Sequence, residues 1–480
     1  MLDSSTTAVA LRGQGAAVRL VPAASAPRVN RGVVFATIAL ALMMMSIDST
    51  IVATALHTIQ SDLGTTINWA GWVITAYAFG FVLMLPVSGK LSKRYGHRRV
   101  FLGSVAVFAV ASLCCGLVGN IYALIALRAL QAAGGAGFTP SATGIIVDHF
   151  GSARDRAVGL FGSIFPVGTM IGPIFGGLFV TYWSWRDIFF INVPIGLAVM
   201  LLAVYGIPRD PGARAAAHAG MDLSGLALLG TALFTAMFAA SYLGEPGARA
   251  TSTEFLLPLI VALASAALFV RHIQRSGQPF IAPRFIYGRG FGAVNLVNVV
   301  FGGVTGGVIL LTPLYATNRY GIDALGSGTL LIAEGVAAIA LSFTVTMALR
   351  RTGYRVPLYV GSLLIAAGTL LLALPPVGGV PPYAWLAVAT FFVGAGGGTI
   401  SPPSRNAGLQ LAPEQSSTLA AMRSLFNQLG EIATVSIATA IMAGTVHAGI
   451  SQAWIYAAIA VCLVIALPLN ARVPEHRGIW

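Results

Sequence analysis

From residue 33 to residue 470 the chain alternates long apolar runs with short polar breaks, and the breaks hold almost all of its charge. A helix rises about 1.5 Å per residue, so about 20 apolar residues cross a hydrocarbon layer of about 30 Å. Fourteen runs approach or exceed that length: 33-57, 69-89, 99-119, 122-147, 156-181, 189-207, 222-243, 255-271, 290-314, 326-347, 356-375, 382-403, 418-443 and 451-470. Each predicts a membrane-spanning helix, and the expected fold class is an all-α polytopic membrane protein.

Two polar stretches divide the series. PRDPGARAAAHAGMD follows the sixth run, and the segment from Arg271 to Gly290 follows the eighth. The expected plan is six, two, six: a cytoplasmic tail over 1-32, a six-helix half over 33-207, a linker with two extra spans over 208-289, a second six-helix half over 290-470 and a cytoplasmic tail over 471-480. The link after the second span, GKLSKRYGHRR (89-99), echoes the link after the tenth, ALRRTGYR (348-355), since both are short, basic and carry a central glycine. Paired halves around a midplane site are the plan of many secondary transporters.

Composition agrees: 56% of residues are hydrophobic and 9% charged, where soluble chains carry about a quarter charged. The net charge of +13 would suggest nucleic acid in a soluble protein, but its placement gives another explanation. Of the 28 Lys and Arg residues, 23 fall on one side of the fourteen-span topology, 3 on the other (Arg186, Arg249, Arg319) and 2 within spans (Arg128, Arg423). By the positive-inside rule the rich side is cytoplasmic, so both termini are expected there. The basic surplus reads as orientation and contact with anionic membrane lipid, with no nucleic acid partner. Cys114, Cys115 and Cys462 lie inside apolar runs and read as small core residues, with no metal set around them. No GxxxxGK[ST] loop occurs, so nothing points to ATP hydrolysis, and no nucleophile-base constellation points to an enzyme. No cofactor is expected.

Five ionisable residues lie well inside the runs: Asp48, Arg128, Glu334, Arg423 and Glu431. Such residues usually face a cavity or pair with one another. Counting rise per residue places Asp48, Arg128, Glu334 and Glu431 about 8 to 12 Å from the outer boundary. Four groups on four helices thus share a layer, as in an ionisable ring around a central cavity. Two readings of Asp48 and Arg128 stand: a structural ion pair that fixes helix register, or a proton-coupling pair. Glu334 and Glu431 have no cationic partner at their depth, so they are protonated at rest or meet a positively charged substrate. Arg423, Asn427 and Glu431, spaced by four, form one polar stripe on the thirteenth span; Arg423 either lines the cavity with the others or snorkels out. Trp69, Trp72, Trp183 and Trp185 flank outer span ends and read as an aromatic belt.

The fifth run contains GTMIGPIFGG. Gly168, Gly172 and Gly176 repeat every four residues, leaving a strip without side chains on which another helix packs closely. Pro173 removes a backbone donor, a defect tolerated where a neighbour re-satisfies the freed carbonyl. Gly177 extends the strip.

These residues resemble the fourteen-span drug:proton antiporter branch of the major facilitator superfamily over nearly the whole chain. The first-span motif appears as SIDSTIVATAL (46-56), with Asp48. The loop motif GxLaDRxGrrr appears as GKLSKRYGHRR, with Gly89, Lys93, Arg94, Gly96 and Arg98. The fourth-span motif RxxQGxGxG appears as RALQAAGGAG (128-137), with Arg128 and Gln131. GTMIGPIFGG is the branch's antiporter motif, and WRDIFFINVPIG (185-196) and NQLG (427-430) are typical of it. The resemblance implies the major facilitator fold, two six-helix halves with two peripheral spans, and alternating access by rocking. It gives Arg128 the proton-relay role, with Asp48 as partner, and a cavity lined by Gln131, Glu334, Arg423, Asn427 and Glu431. Two positions depart from the pattern: Lys93 replaces the loop aspartate that latches the halves, and Ala132 replaces a glycine. The short link 444-450, where members that partner a periplasmic adaptor often carry a large loop, gives no support to such a partner.

The expected function is a proton-coupled exporter of lipophilic or amphipathic small molecules, a monomer in a bacterial cytoplasmic membrane. The alternatives are a dedicated exporter of one metabolite, such as a siderophore or antibiotic, and a carrier fold that senses without transporting.

Overall fold

The computed structural model describes residues 30-150, 154-208, 222-245, 247-277, 279, 281-412 and 416-475, and among them the only regular structure is helical. Fourteen helical spans follow one another: α1 Arg31–Asp62, α2 Ile67–Tyr95, α3 His97–Leu117, α4 Ile121–Phe150, α5 Arg154–Tyr182, α6 Asp187–Gly206, α7 Leu223–Tyr242, α8 Thr253–Arg275, α9 Phe291–Tyr320, α10 Ala324–Thr352, α11 Arg355–Ala373, α12 Pro382–Leu411, α13 Ser416–Ala443 and α14 Ala448–Arg472. Every predicted span has its helix. Arg12, Arg19, Arg28, Arg209, Arg214 and Arg477 lie outside the described residues, as do the side chains of Lys93, Arg154 and Arg156.

The helices outrun the apolar runs that announce them. Backbone hydrogen bonding continues into polar residues until a glycine stops it, so α2 reaches Tyr95 and α10 reaches Thr352, capped by Gly96 (φ 97) and Gly353 (φ 72). The basic segment 89-99, expected as a loop, is therefore the last turns of α2, one left-handed glycine and the first turn of α3. Only glycine takes that φ without strain. Two spans are irregular: α4 breaks between Gly135 and Phe138, and α9 contains a π-helical turn, Asn298–Gly303.

Contacts at the helix ends define two faces. On one, the terminal face, Arg31 Nε donates to the His149 carbonyl (3.2 Å), Arg98 Nη2 to the Val204 carbonyl (2.8 Å) and the Tyr354 amide to Glu475 Oε1 (2.6 Å). On the opposite face, Arg186 and Trp185 both donate to Asp62 Oδ2 at 2.9 Å, and Asn68 Nδ2 donates to the Ser241 carbonyl at 2.7 Å. The chain's first and last helices thus begin and end on the same face.

Helices α1–α6 and α9–α14 meet along two seams, α5 against α10 and α2 against α13. Near the opposite face one apolar core runs across both groups, from Ile51, Leu56 and Val73 to Leu310, Leu314, Val435 and Met442. Toward the terminal face two cores separate, Val34, Phe101, Phe108 and Phe138 in one and Val297, Phe301, Leu358 and Ile400 in another, while a third joins Val82 of α2 to Leu229 of α7 and Met422 of α13. The bundle is packed shut at the opposite face. Helix α7 lies against both α2 and α13, and α8 packs mainly on α7.

The glycine strip of α5 divides its work between two neighbours. Gly168, Gly172 and Gly176 face Ser46, Thr50 and Ile51 of α1, while Gly177 faces the backbone of Ala324 and Leu325 on α10. Pro173 leaves the Thr169 carbonyl without its helical donor, and Thr50 Oγ1 supplies one from α1 at 3.3 Å. The aromatic belt is only partly that: Trp183 is exposed, but Trp185 is buried against Asp62, and Trp72 is buried with Nε1 donating to Ser241 Oγ on α7 at 2.8 Å. An indole that finds a protein acceptor gains more from packing than from the headgroup region. Of the cysteines, Cys115 is buried and Cys462 exposed.

Gly394 of α12 abuts the backbone of Glu334, so a larger side chain there must separate α10 from α12. Gly394→Leu is expected to cost about 1–3 kcal/mol by overpacking. Gly103, with open space around it, is expected to accept Ala within about 0.5 kcal/mol. Thermal unfolding in detergent, followed by monodispersity, checks both.

Candidate functional site: a closed polar network and an open one

Asp48 and Arg128 meet. Arg128 Nη1 lies 2.7 Å from Asp48 Oδ2, with side chains 1% and 0% exposed, so neither reaches solvent in this conformation. Each partner is further bonded. Gln131, three residues after Arg128 and on the same face of α4, accepts from Arg128 Nη1 (2.7 Å) and donates from Nε2 to Asp48 Oδ1 (2.9 Å). Asn192 on α6 donates to the same Oδ1 at 2.7 Å. Ser112 on α3 accepts from both amides at 3.0 Å and passes its own proton to the Phe189 carbonyl at 2.9 Å. Arg128 Nε donates to the Val73 carbonyl of α2 (3.4 Å), and the guanidinium lies over the Tyr77 ring, 4.2 Å from its centroid. Five helices converge on one ion pair.

Such closure is what an apolar interior demands. A buried charge is costly unless paired and hydrogen-bonded, and a half-satisfied network is worse than none. Asn192, Ser112 and Tyr77 were not singled out from sequence. Their only signal is a polar atom within an apolar run, and Asn192 stands inside the quoted phrase WRDIFFINVPIG.

The other predicted residues form a different arrangement. Glu334 on α10 and Glu431 on α13 are half-buried, and among the described residues neither carboxylate has a hydrogen-bond or ion-pair partner. They do not join the Asp48–Arg128 network. Glu431 reaches toward Gly306 of α9 and acts electrostatically on Tyr77, whose buried hydroxyl has no partner among the described residues. Arg423 does not snorkel: its Nη2 donates to Ser401 Oγ of α12 at 3.0 Å, while its Nε is buried without an acceptor. Asn427 points Oδ1 at the π-turn glycine Gly302, again unpartnered, and Gln428 Oε1 is in the same condition.

At the α2–α3 link, Gly89 is half-buried and Arg94 exposed, its guanidinium 5.4 Å from the Tyr95 ring. Arg98 is tied to α6 as described, and His97 bridges Ser92 (2.7 Å) and Asp148 (3.9 Å).

A bundle of fourteen apolar helices, with a charge network in one part and unpartnered carboxylates in the other, defines a polytopic membrane carrier. Residues 38–435 match the model of the Major Facilitator Superfamily, and the chain belongs to that family. It is similar to a "Multidrug resistance protein B homolog" of Mycobacterium tuberculosis, 33% identical over 407 residues, covering 84% of this chain and 74% of the relative. It is also 33% identical over 335 residues to a "Tetracenomycin C resistance and export protein" of Streptomyces glaucescens, covering 69% of this chain; the chain spans 61% of that relative's length. Among solved structures, a D-xylose-proton symporter superposes with a TM-score of 0.66 at 13% identity, covering 92% of this chain and 98% of the symporter, which shows the fold. The protein is therefore a multi-pass secondary transporter of small molecules in a bacterial inner membrane, and a carrier rather than an enzyme.

Removing one partner of the closed network leaves a buried charge uncompensated. Asp48→Ala is expected to cost about 3–5 kcal/mol, and Asp48→Asn, which keeps the amide bonds, clearly less. Unfolding temperatures of the two variants in one detergent decide this.

Proposed function

We propose that this carrier is a proton-coupled exporter, an antiporter of lipophilic or amphipathic small molecules, in the fourteen-span drug:proton branch of its family. One observation carries the reading: Glu334 and Glu431, carboxylates without partners among the described residues, sit on α10 and α13, the two helices that form the seams with α5 and α2. A carboxylate inside an apolar bundle without a partner favours its neutral form, and a cation or donor brought beside it favours the charged one. Substrate and proton then compete for the same group, which is the linkage antiport requires.

The six-two-six division supplies the moving parts, with the halves 33-207 and 290-470 rocking about the two seams and 208-289 carrying the extra pair. With the terminal face cytoplasmic, as the basic side predicts, the conformation described is shut toward the outside. The Asp48–Arg128 pair is sealed in this state, and its carboxylate takes a proton only in a state that opens the network. The strip of α5 lets α1 and α10 approach at backbone distance, and the α2–α3 link bends at Gly96 with Lys93 in place of an acidic latch. Names of relatives support export of drug-like compounds, and that of the Streptomyces protein, which names one compound, favours the second reading of a dedicated exporter.

The test is lumenal pH in proteoliposomes carrying an imposed proton gradient, on addition of lipophilic cations and amphipathic anions. Wild type is expected to release protons on substrate addition. Glu334→Gln or Glu431→Gln is expected to lower that release at least tenfold while binding persists, which would name the coupling carboxylate. Bound compound without any proton movement, in wild type and variants alike, would sink the antiport reading.

A further inference from the structure

Two arginines near the terminal face stand outside every ion pair described above. Arg423 lies seven residues into α13 and Arg405 six residues before the end of α12, so both sit about 10 Å inside the terminal end of their helices. Sequence alone placed Arg405 in a loop beyond the twelfth span; the helix instead continues to Leu411 and includes it. Ser401 and Arg405 are four apart and share a face of α12. That face meets α13, since Ser401 Oγ accepts from Arg423 Nη2 at 3.0 Å. The two guanidinium groups act on each other as like charges. Arg405 is exposed, Arg423 is half-buried, and the Arg423 Nε is buried with no acceptor. Among the described residues no carboxylate pairs with either.

A half-buried guanidinium with a buried donor unused and a second arginine nearby is unfavourable unless something negative completes it. A guanidinium presents paired donors that match the two oxygens of a carboxylate, sulfonate or phosphate. Asn427, one turn deeper on α13, adds an amide, and beyond it lies the apolar interior of the bundle. We propose that Arg423 and Arg405, with Ser401, form a subsite for the oxyanion group of an amphiphile whose apolar body extends toward Asn427 and Glu431. This rests on the exporter reading and narrows its substrate class, from lipophilic compounds in general to amphiphiles that carry an oxyanion. A lipid phosphate has the same chemistry as a soluble amphipathic anion, so the experiment separates the two sources.

The purified full chain, in phosphatidylcholine nanodiscs, is titrated with labelled cholate and with its uncharged methyl ester. Wild type is expected to prefer the acid at least tenfold. Arg423→Gln and Arg405→Gln are each expected to abolish that preference while ester binding stays within twofold, which also certifies the fold. Adding phosphatidylglycerol to the discs identifies the source: displacement of cholate in wild type but not in the variants assigns the subsite to lipid headgroups, and undiminished cholate binding assigns it to soluble amphiphiles. Equal affinity for acid and ester in wild type overturns the subsite. Selective acid binding without proton-coupled flux in the proteoliposome assay leaves the subsite standing and removes the exporter reading; coupled flux without acid preference does the reverse.

Discussion

Five of the first six helices meet at one constraint, a full positive and a full negative charge held where water cannot reach them. At 2.7 Å the attraction between Asp48 and Arg128 is large in a poor dielectric, but so is the cost of taking both ions out of water. The balance is made favourable by the surrounding donors and acceptors, which come from α2, α3, α4 and α6 as well as α1. Each bond that satisfies a charge also fixes the rotation of the helix that supplies it. In this conformation the pair thus ties these five helices together.

The last six helices mix closed and open polar groups. Gln452 bonds Tyr456 and Asn470 bonds Ser362, but among the described residues the carboxylates of Glu334 and Glu431, the Nε of Arg423 and the amide oxygens of Asn427 and Gln428 have no partner. The π-turn of α9 lies against Asn427, and such turns introduce a local excess of backbone that can shift. The first group of helices thus closes its central ion pair, while α10 and α13 of the second carry carboxylates without a partner among the described residues. The two are joined where side chains are smallest. Backbone meets backbone at Gly177 with Ala324 and at Gly328 with Pro173, the close approach that small residues allow.

How much of this was legible in the chain depends on the range of the interaction that decides it. The spans were legible because hydrocarbon imposes a length, and the Asp48–Arg128 pairing because two charges at one depth have few alternatives. The role of Thr50 in capping the carbonyl freed by Pro173 was foreseen in kind, though not by residue. Tyr77, Ser112 and Asn192 were not, because a lone polar side chain in an apolar run looks the same whether it faces lipid, a cavity or a charge. Trp72 and Trp185 were misplaced for a similar reason: an indole near a helix end suits the membrane surface and a buried acceptor equally well, and only the neighbouring α7 and Asp62 discriminate.

By itself, then, the sequence determined the number of helices, the class of the fold and the pairing of opposite charges, because each follows from transferring a segment or an ion out of water. Tertiary structure alone decided which polar groups are closed off and which remain open, where α12 ends and hence that Arg405 lies on it, and which face of the bundle is shut. Those outcomes depend on the rotation and tilt of one helix against another. They are set by close packing among residues distant in the chain, and spacing along a single helix carries no record of it.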